Sequence, residues 1–544
     1  MVKHIALLLV FIFTIILVSS CFTSTVNSTS DFVSENPNKI VSNEAELREA
    51  INNAPTKKSV IIALNNDITL TDTTLTIPAN KNIILTNNKA TNHYKLIGTV
   101  HETARFTVGE QSVSTITVNN EGILELAGID VTHTCNYWGY AVTVNEKGQF
   151  IMHKSLISSN IGGIYNDGIF LMRDGEISGN SAMNGGGVHN RGTFTMFGGK
   201  ISANSAGNNG GGVYNEGTFE MLGGEISANT GAEGGGIYNW GGAATIKYKF
   251  ATNTKEFMGY DNQFGGGFIL SDGVISGNKA WRGGGVCNQG VFIMSGGLIS
   301  DNTATASGGG VNNGKTSTMG NFEMSGGEIS ANTAEKGGGV YNFFHSTISL
   351  SDRGVILGNT AELGGGVCID GDFNMEGGVI SGNTATNNGG GVYLGNGIFK
   401  LTGGEISKNT ATHDGGGIWV DIERLDLLFI SNGAVFLSNR ASGAYDRNTA
   451  HNQRYYAQIG NTVTWTTPFT QGYNNYDISY TSDKQVTITN EGSPTTDNEK
   501  NNSDTEATNI PSHSTILIVL AGIILAIIVV ACIFVFKNKN RQKL

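Results

Sequence analysis

A pair of acidic residues in this chain has a spacing that could support cleavage of a polysaccharide. Asp370 and Asp372 are two residues apart, so on a strand their side chains would share one face. Paired carboxylates about 5 to 9.5 Å apart carry out glycoside hydrolysis, and a lyase would need clustered Asp residues for Ca²⁺ beside a base. Here the pair flanks Gly371 in a predicted turn. We therefore predict no catalytic residue, no metal site and no cofactor.

Two further sets of titratable residues are also weak candidates for catalysis. A recurrent Glu slot is interrupted by Lys200 and by Val or Leu in other repeats, which indicates a solvated face. This slot contains Glu176, Glu225, Glu328 and Glu405. His413 and Asp414 are adjacent but have no Ser, Cys or second His beside them. We predict that the chain is not an enzyme, with a surface polysaccharide lyase or hydrolase as the alternative.

A row of aromatic residues is the stronger candidate for a binding site. Tyr165, His189, Tyr214 and Tyr238 each lie between a recurrent Val or Ile and a recurrent Asn. The same slot continues through Cys287, Asn312, Tyr341, Cys368, Tyr393 and Trp419. Exposed rings one strand apart could lie against sugar rings or another protein. Alternatively, the stacked side chains only stabilise the sheet face.

These residues are positioned by a repeat of about 24 to 26 residues between positions 164 and 440. Its consensus is G-G-x-I-S-x-N-x-A, a variable turn, then G-G-G-V-x-N-x-G-x-F-x-M. Alternating apolar residues in three short stretches predict three strands per coil. Stacked coils pair their strands in parallel, so we predict an all-β fold, a right-handed parallel β-helix.

The repeat also predicts which side chains form the core. The inward Ile row contains Ile177, Ile201, Ile226, Ile275, Ile299, Ile329, Ile356, Ile380 and Ile406. The inward Val row contains Val188, Val213, Ile237, Val286, Val311, Val340, Val367, Val392 and Ile418. The inward Phe row contains Phe170, Phe194, Phe219, Phe268, Phe292, Phe322, Phe373 and Phe399, and each Phe has Met or Leu two residues later on the same face.

An Asn recurs at the end of the Ile strand and is interpreted as structural. This row contains Asn180, Asn204, Asn229, Asn278, Asn302, Asn332, Asn359, Asn383 and Asn409. Stacked amides can bond along the coil axis, and Asn tolerates the left-handed backbone that such corners need.

The sequence outside the repeat predicts an exported, anchored protein. Residues 1–20 resemble a secretory signal, with Cys21 in a context that resembles a lipoprotein processing site. Residues 516–536 form an uncharged stretch long enough to span a bilayer as a single helix, and a basic tail follows. The predicted order is 1–20 signal, 21–40 flexible segment, 41–163 N-terminal cap and irregular coils, 164–440 regular helix, 441–491 C-terminal cap, 492–515 stalk, 516–536 transmembrane helix and 537–544 cytoplasmic tail. We therefore expect a single-pass protein of the cell membrane with its large N-terminal part outside.

A short N-terminal helix and two insertions in the repeat are also predicted. Asn43 to Glu46 resembles a capping box, so a short helix with Leu47, Ala50 and Ile51 on its apolar face should cover the N-terminal end. Insertions at 243–267 and 313–321 break the repeat, and the first could be a degenerate coil or a projecting loop for a specific contact.

The composition of the chain limits the kinds of partner and of structure that we expect. The formal net charge of −11 argues against nucleic acid, which needs clustered Lys and Arg. The chain has 77 Gly and six Pro residues, which suits many tight turns rather than collagen. Cys287 and Cys368 fall three coils apart, about 14 Å, which is too far for a disulfide.

The repeat resembles that of chlamydial polymorphic membrane proteins. The resemblance rests on stretches such as ISGNTATNNGGGVY from Ile380, with Ile or Val in place of the Phe of the family's F-x-x-N and Gly in place of the Ala of its G-G-A-[ILV]. Those proteins are adhesins with a C-terminal barrel, whereas the layout here is closer to adhesin-like proteins of methanogenic archaea. The resemblance implies an adhesin that binds glycans or proteins of host or neighbouring cells. A passive envelope component is the remaining alternative.

Overall fold

The computed structural model describes residues 37–71, 74–89, 93–99, 114–133, 139–241, 248–251, 254–257, 266–316, 318–442 and 477–479. Over these residues the chain is a parallel β-solenoid of about 13 turns with almost no helix. The predicted signal, stalk, transmembrane helix and tail lie outside them, as do most of 21–40 and 441–491. In the part of the chain that the structure describes, no helix is long and apolar enough to cross a membrane.

The largest sheet has 25 strands among the described residues and contains two parallel ladders. The Phe ladder consists of Lys39–Val41, Ser59–Leu64, Asn82–Asn87, Ile123–Ala127, Gln149–His153, Ile169–Met172, Thr193–Met196, Thr218–Ser227, Gly267–Ser276, Val291–Met294, Asn321–Met324, Thr347–Leu350, Asp372–Met375, Phe399–Ser407 and Leu428–Leu437. The Ile ladder adds Ile68–Leu70, Lys95–Gly98, Asp130–His133, Leu156–Ser158, Glu176–Ser178, Lys200–Ser202, Leu298–Ser300, Glu328–Ser330, Val355–Leu357 and Val379–Ser381. In four turns one long strand serves both ladders.

A second sheet, the Val sheet, carries the predicted aromatic row. Its 14 strands within the described ranges are Leu75–Ile77, Ile116–Val118, Val142–Val144, Ile164–Asn166, Val188–Asn190, Val213–Asn215, Ile237–Asn239, Val286–Asn288, Val311–Asn313, Val340–Asn342, Val367–Ile369, Val392–Leu394, Ile418–Val420 and Ile478–Ser479. All neighbours are parallel and in register, as in the pairing of Tyr165 with His189 and of His189 with Tyr214.

A fourth strand in many turns departs from the three-stranded prediction. These strands are Ser181–Asn184, Ser205–Asn209, Lys279–Arg282, Thr303–Ser307, Thr333–Lys336, Thr360–Leu363, Thr384–Ala385, Thr410–Ala411 and Arg440–Ala441. The stretch begins at the x-A that ends the first part of the consensus and in some turns continues into the variable turn, and no strand was predicted there. It has only two to five residues. The inward residue is usually a buried Ala, such as Ala385, which lets the strand lie close to the core.

The predicted core rows are confirmed. Every Ile, Val and Phe of the three inward rows is at most 1% exposed, and one apolar cluster extends from Val41 to Ile478. Successive Phe rings stack at centroid distances of 4.5 to 5.1 Å. Burial of each such side chain contributes about 1.5 to 3 kcal/mol, and stacking adds to it.

The predicted Asn ladder is also confirmed, with one correction. The backbone N–H and Nδ2 of Asn204 donate to Oδ1 of Asn229 at 2.9 and 3.0 Å, and Nδ2 also donates to the Ile177 carbonyl at 2.8 Å. The left-handed backbone lies one residue earlier, as at Ala203 and Ala228, with φ of 54° and 55°. The corner is therefore turned before the Asn, whose side chain is left free to point into the stack.

A second Asn ladder was not predicted. It follows the aromatic row by one residue and contains Asn166, Asn190, Asn215, Asn239, Asn288, Asn313 and Asn342. Nδ2 of Asn190 donates to Oδ1 of Asn215 at 2.7 Å. At the N-terminal end Oδ1 of Asn166 has no partner, because the preceding turn has Val144 at this register position.

The N-terminal helix α1, Glu44–Asn53, matches the prediction. Oδ1 of Asn43, the N-cap, accepts from the Glu46 N–H at 3.0 Å. Glu46 Oε2 accepts from the N–H of Ser42, the residue before the N-cap, at 2.8 Å, so the pair is a variant of the capping box. Leu47 and Ile51 are buried in the core cluster, and Ala50 packs against it.

The 243–267 insertion contains Tyr248–Ala251 and Thr254–Phe257, which pair antiparallel in their own sheet. Its described strands therefore pair with each other and not with the parallel ladders, so they do not form a coil of the stack. One short 3₁₀ helix, Ile422–Leu427, completes the elements of the described chain.

Candidate functional site

The predicted aromatic residues are brought together on the outward face of the Val sheet. On each strand the apolar residue and the Asn point inward, so the residue between them points outward. Ring centroids are 5.0 Å apart for Tyr165 and His189, 4.9 Å for His189 and Tyr214, and 5.4 Å for Tyr214 and Tyr238. Tyr140 extends this outer row at its N-terminal end, 5.2 Å from Tyr165. Tyr140 was not predicted because the row position of its turn is Thr143, which pairs in register with Tyr165.

Exposure differs along the outer row, so the expected uniformly exposed row is only partly present. Tyr165 and His189 are partly exposed, but Tyr214 is 8% and Tyr238 only 3% exposed. Tyr214, Tyr238 and Cys287 form a small apolar cluster with Trp240 packed against it. The rings pack on one another along the solenoid axis, which removes much of their surface from water.

A network of charged residues borders the accessible end of the row. Arg191 donates through Nη1 to the Tyr165 hydroxyl at 2.8 Å, and its Nε lies 3.2 Å from Glu216 Oε2. Glu216 also accepts from the Tyr214 hydroxyl at 3.2 Å and lies 3.5 Å from His189 Nε2. Arg191 Nη1 is 3.5 Å from Asp167 Oδ1. These contacts fix the ring orientations.

The network was not predicted from the sequence, although its residues share a slot in the repeat. Asp167, Arg191 and Glu216 each occupy the position after the second-ladder Asn, two residues beyond a row aromatic. This periodicity could have identified the charged residues as neighbours of the row. It could not have shown that Arg191 contacts residues of the turns on both sides.

The network controls which groups are ionised. Burial raises the pKa of Tyr165 and raises that of Tyr140 to about 12, so both hydroxyls stay neutral donors. Burial opposes ionisation of Glu216, but its contacts with His189, Tyr214 and Arg191 outweigh this and lower its pKa. Burial raises the pKa of Asp167, against the effect of the Arg191 charge. The site therefore offers aromatic surface, neutral hydroxyls and a fixed carboxylate with its cation.

The C-terminal part of the outer row is built differently. Tyr393 and Trp419 stack at 4.5 Å with an interplanar angle of 10°, and both are partly exposed. The Tyr341 hydroxyl donates to Asp370 Oδ2 at 2.6 Å. Cys368, between Tyr341 and Tyr393, is a buried free thiol whose pKa is raised by burial.

The acidic candidates for catalysis have structural partners. Asp370 accepts from Tyr341 and, at 3.0 Å, from Asn396 Nδ2, while Asp372 Oδ1 accepts from the Ile398 N–H at 3.2 Å. Lys200 lies 3.2 Å from Glu225 and is in register with Glu176, as expected for an outward row of mixed charge.

The remaining titratable candidates add no assembled centre. Burial raises the pKa of Asp414, whose backbone N–H donates to Asn388 Oδ1 at 3.0 Å. Among the described residues no group of three or more His, Cys, Asp or Glu is placed to hold a metal ion.

A loop crosses the middle of the outer row. This strap, residues 314–316 and 318–320, belongs to the predicted 313–321 insertion and follows the Val311–Asn313 strand. Lys315 Nζ lies 2.8 Å from Glu233 Oε2, two turns earlier, and Thr318 Oγ1 donates to Gln289 Oε1 at 2.7 Å. Asn312 Nδ2 donates to the Gly314 carbonyl at 2.9 Å. The strap therefore lies over Cys287, which is 1% exposed and whose pKa burial raises to about 12.

The structure supports the resemblance at the level of the fold. The parallel, in-register turns are those of a β-solenoid, as the repeat predicted. The assignment to polymorphic membrane proteins or to adhesin-like proteins stays an inference from the repeat residues. A scan against protein-family models, a search of curated proteins and a search of solved structures each found no match.

Proposed function

We propose that this protein is a membrane-anchored, surface-displayed adhesin that binds glycans or proteins of other cells through its outer row. The observation that carries the proposal is the accessible end of that row, where Tyr165 and His189 are partly exposed and Arg191 joins them to Glu216. Aromatic surface with a few fixed polar groups is the usual composition of a site that recognises sugars or peptides.

The layout of the sequence supports display at a surface. The signal-like residues 1–20, the polar stretch 492–515 and the apolar stretch 516–536 fit an exported solenoid held by its C-terminal helix. A solenoid suits this role because its core holds the outer face rigid, so outward residues can vary without loss of the fold.

Binding of the purified full chain to whole cells and to a glycan array tests the proposal, with the same glycans monitored for cleavage. We expect binding without cleavage, weakened at least about tenfold by Tyr165→Ala and by Arg191→Ala. Lys200→Ala is the matched control, since Lys200 is also a surface cation paired with a Glu but lies on the other sheet. Cleavage would favour the polysaccharide lyase or hydrolase, and neither binding nor cleavage would favour a passive envelope role.

A further inference from the structure

We infer that the strap covers a second subsite of the outer row, shaped for a neutral saccharide; this inference deepens the proposed function and rests on it. Beneath the strap the row carries two small residues, Cys287 and Asn312, between Tyr238 and Tyr341. At about 4.8 Å per strand these two tyrosines are about 14 Å apart. The two positions between them hold no ring, which leaves a notch that could admit a sugar ring and that the strap now fills.

Tyr238 provides an aromatic face for this subsite. Tyr214 stacks on one side of its ring, at 5.4 Å and an interplanar angle of 19°. The next residue along the row is Cys287, whose side chain is too short to cover the other face. With the strap displaced, that face would line the notch, and Trp240 lies at its edge. Aromatic faces of this kind pack against the C–H groups of sugar rings.

Gln289 provides a buried amide that the protein does not fully satisfy. It is 4% exposed, its Oε1 accepts from Thr318, and its Nε2 makes no hydrogen bond of ordinary geometry, although the side chain lies beside the Tyr238 hydroxyl and the Cys287 thiol. An unpaired buried donor is unfavourable, and a ligand hydroxyl that accepted from it would satisfy it. A hydroxyl acceptor beside an aromatic face indicates a saccharide. Across the notch Lys315 and Glu233 neutralise each other, which indicates a neutral saccharide. Arg282 is another charge that acts on Cys287, and its guanidinium lies over the Trp281 ring.

One ion pair holds the strap at its far end. Lys315 reaches Glu233, whose side chain is only 8% exposed, across the turn that carries Cys287. Removal of the Lys charge leaves the Glu carboxylate buried and unpaired, which destabilises the closed position far more than loss of an exposed pair would. Lys315→Met keeps the apolar stem and should therefore open the strap without disturbing the core.

Alkylation of Cys287 by iodoacetamide in the full chain, followed by mass-spectrometric mapping, tests the strap without any ligand. We expect Lys315→Met to accelerate modification of Cys287 by at least about tenfold, while Cys368, a buried thiol in the same row, reacts at the wild-type rate. Lys400→Met, at an exposed Lys of the Phe ladder, is the matched control. An unchanged rate at Cys287, or equal acceleration at Cys368, would overturn the claim that the Lys315–Glu233 pair holds the strap over Cys287.

Titration with cellohexaose, mannohexaose and chitohexaose, followed by Tyr and Trp fluorescence, tests the subsite. At least one should bind Lys315→Met about tenfold more tightly than wild type, and Gln289→Leu in that background should remove the gain. Absence of binding by Lys315→Met to all three would overturn the subsite. It would leave the proposed function intact, because that function is tested separately at Tyr165 and Arg191.

Discussion

The inner face of the Val sheet repeats the same residue types from turn to turn, whereas the outer face varies, although the two faces alternate along the same strands. Inward, each regular turn presents Val or Ile and, as far as Asn342, an Asn, all at most 1% exposed. Outward, the one residue between them changes from Tyr to His, Cys, Asn or Trp. An inner residue contacts its copies in the turns above and below, so a misfit there disturbs two interfaces. An outer residue also contacts its neighbours in the row, but it faces away from the core, so a change there leaves no cavity inside the solenoid. The outer row is therefore where specificity can be placed.

Replacement of an inner Phe should cause the largest loss of stability. Phe219 is fully buried and stacks on Phe194 at 4.5 Å and on Phe268 at 5.1 Å. Phe219→Ala leaves a cavity in a core that cannot collapse along the axis, so we expect a loss of about 3 to 5 kcal/mol in unfolding free energy. Urea denaturation of the full chain measures it, and a loss below about 1 kcal/mol would show that the inner face tolerates change.

Loss of an Asn from the ladder at the end of the Ile strand should cause the next largest loss of stability. Oδ1 of Asn229 accepts from the backbone N–H and Nδ2 of Asn204, and its Nδ2 donates to the Ile201 carbonyl. Asn229→Ala leaves buried polar groups unpaired, at about 2 to 4 kcal/mol. The exposed Asn208→Ala should change stability by less than about 0.5 kcal/mol in the same denaturation experiment. Equal effects of the two changes would contradict the ladder's role.

Alkaline pH should reduce the free energy of unfolding through the tyrosines of the outer row. Burial raises the pKa of Tyr140 to about 12, above the ordinary value of 10, and shifts Tyr214, Tyr238 and Tyr341 in the same direction. Above pH 10 the unfolded chain releases these protons while the folded chain keeps them, so stability should fall as pH rises from 10 through 12. Tyr140 alone accounts for about 2 to 3 kcal/mol. Urea denaturation across this pH range measures the decline in unfolding free energy. Tyr140→Phe should make that decline shallower, and an unchanged slope would contradict the raised pKa of Tyr140 as its cause.

Removal of Arg191 should have the smallest effect on stability. Its side chain is about half exposed, so its ion pairs are screened by water, and we expect Arg191→Ala to change the free energy of unfolding by no more than about 0.5 kcal/mol. Thermal denaturation checks this. A loss comparable to that of Asn229→Ala would mean that the charged network belongs to the fold rather than to a binding surface.

The fold was largely predictable because the inner face repeats. Nine Ile positions, most of them 24 to 27 residues apart, were enough to predict a parallel stack and its buried rows. The fourth strand was missed because a stretch such as Thr384–Ala385 is too short to show alternation. The second Asn ladder was visible in the consensus, but only the register of the Val sheet shows that its amides meet.

The site was less predictable because it depends on contacts between turns. The sequence identified the aromatic slot, but it could not show that Tyr238 is buried while Tyr165 is partly exposed. That difference coincides with the strap, which depends on Lys315 and Glu233, 82 residues apart. No local pattern predicts such a pair. It forms because a loop on one turn lies across its predecessors.

Binding of the full chain to cells and glycans, compared between wild type, Tyr165→Ala and Arg191→Ala, tests the central claim most directly. The account predicts binding that falls at least about tenfold in both variants, with stability and the Lys200→Ala control nearly unchanged. Binding that persists in both variants would contradict it, because the outer row would then be part of the scaffold and the partner would contact another face.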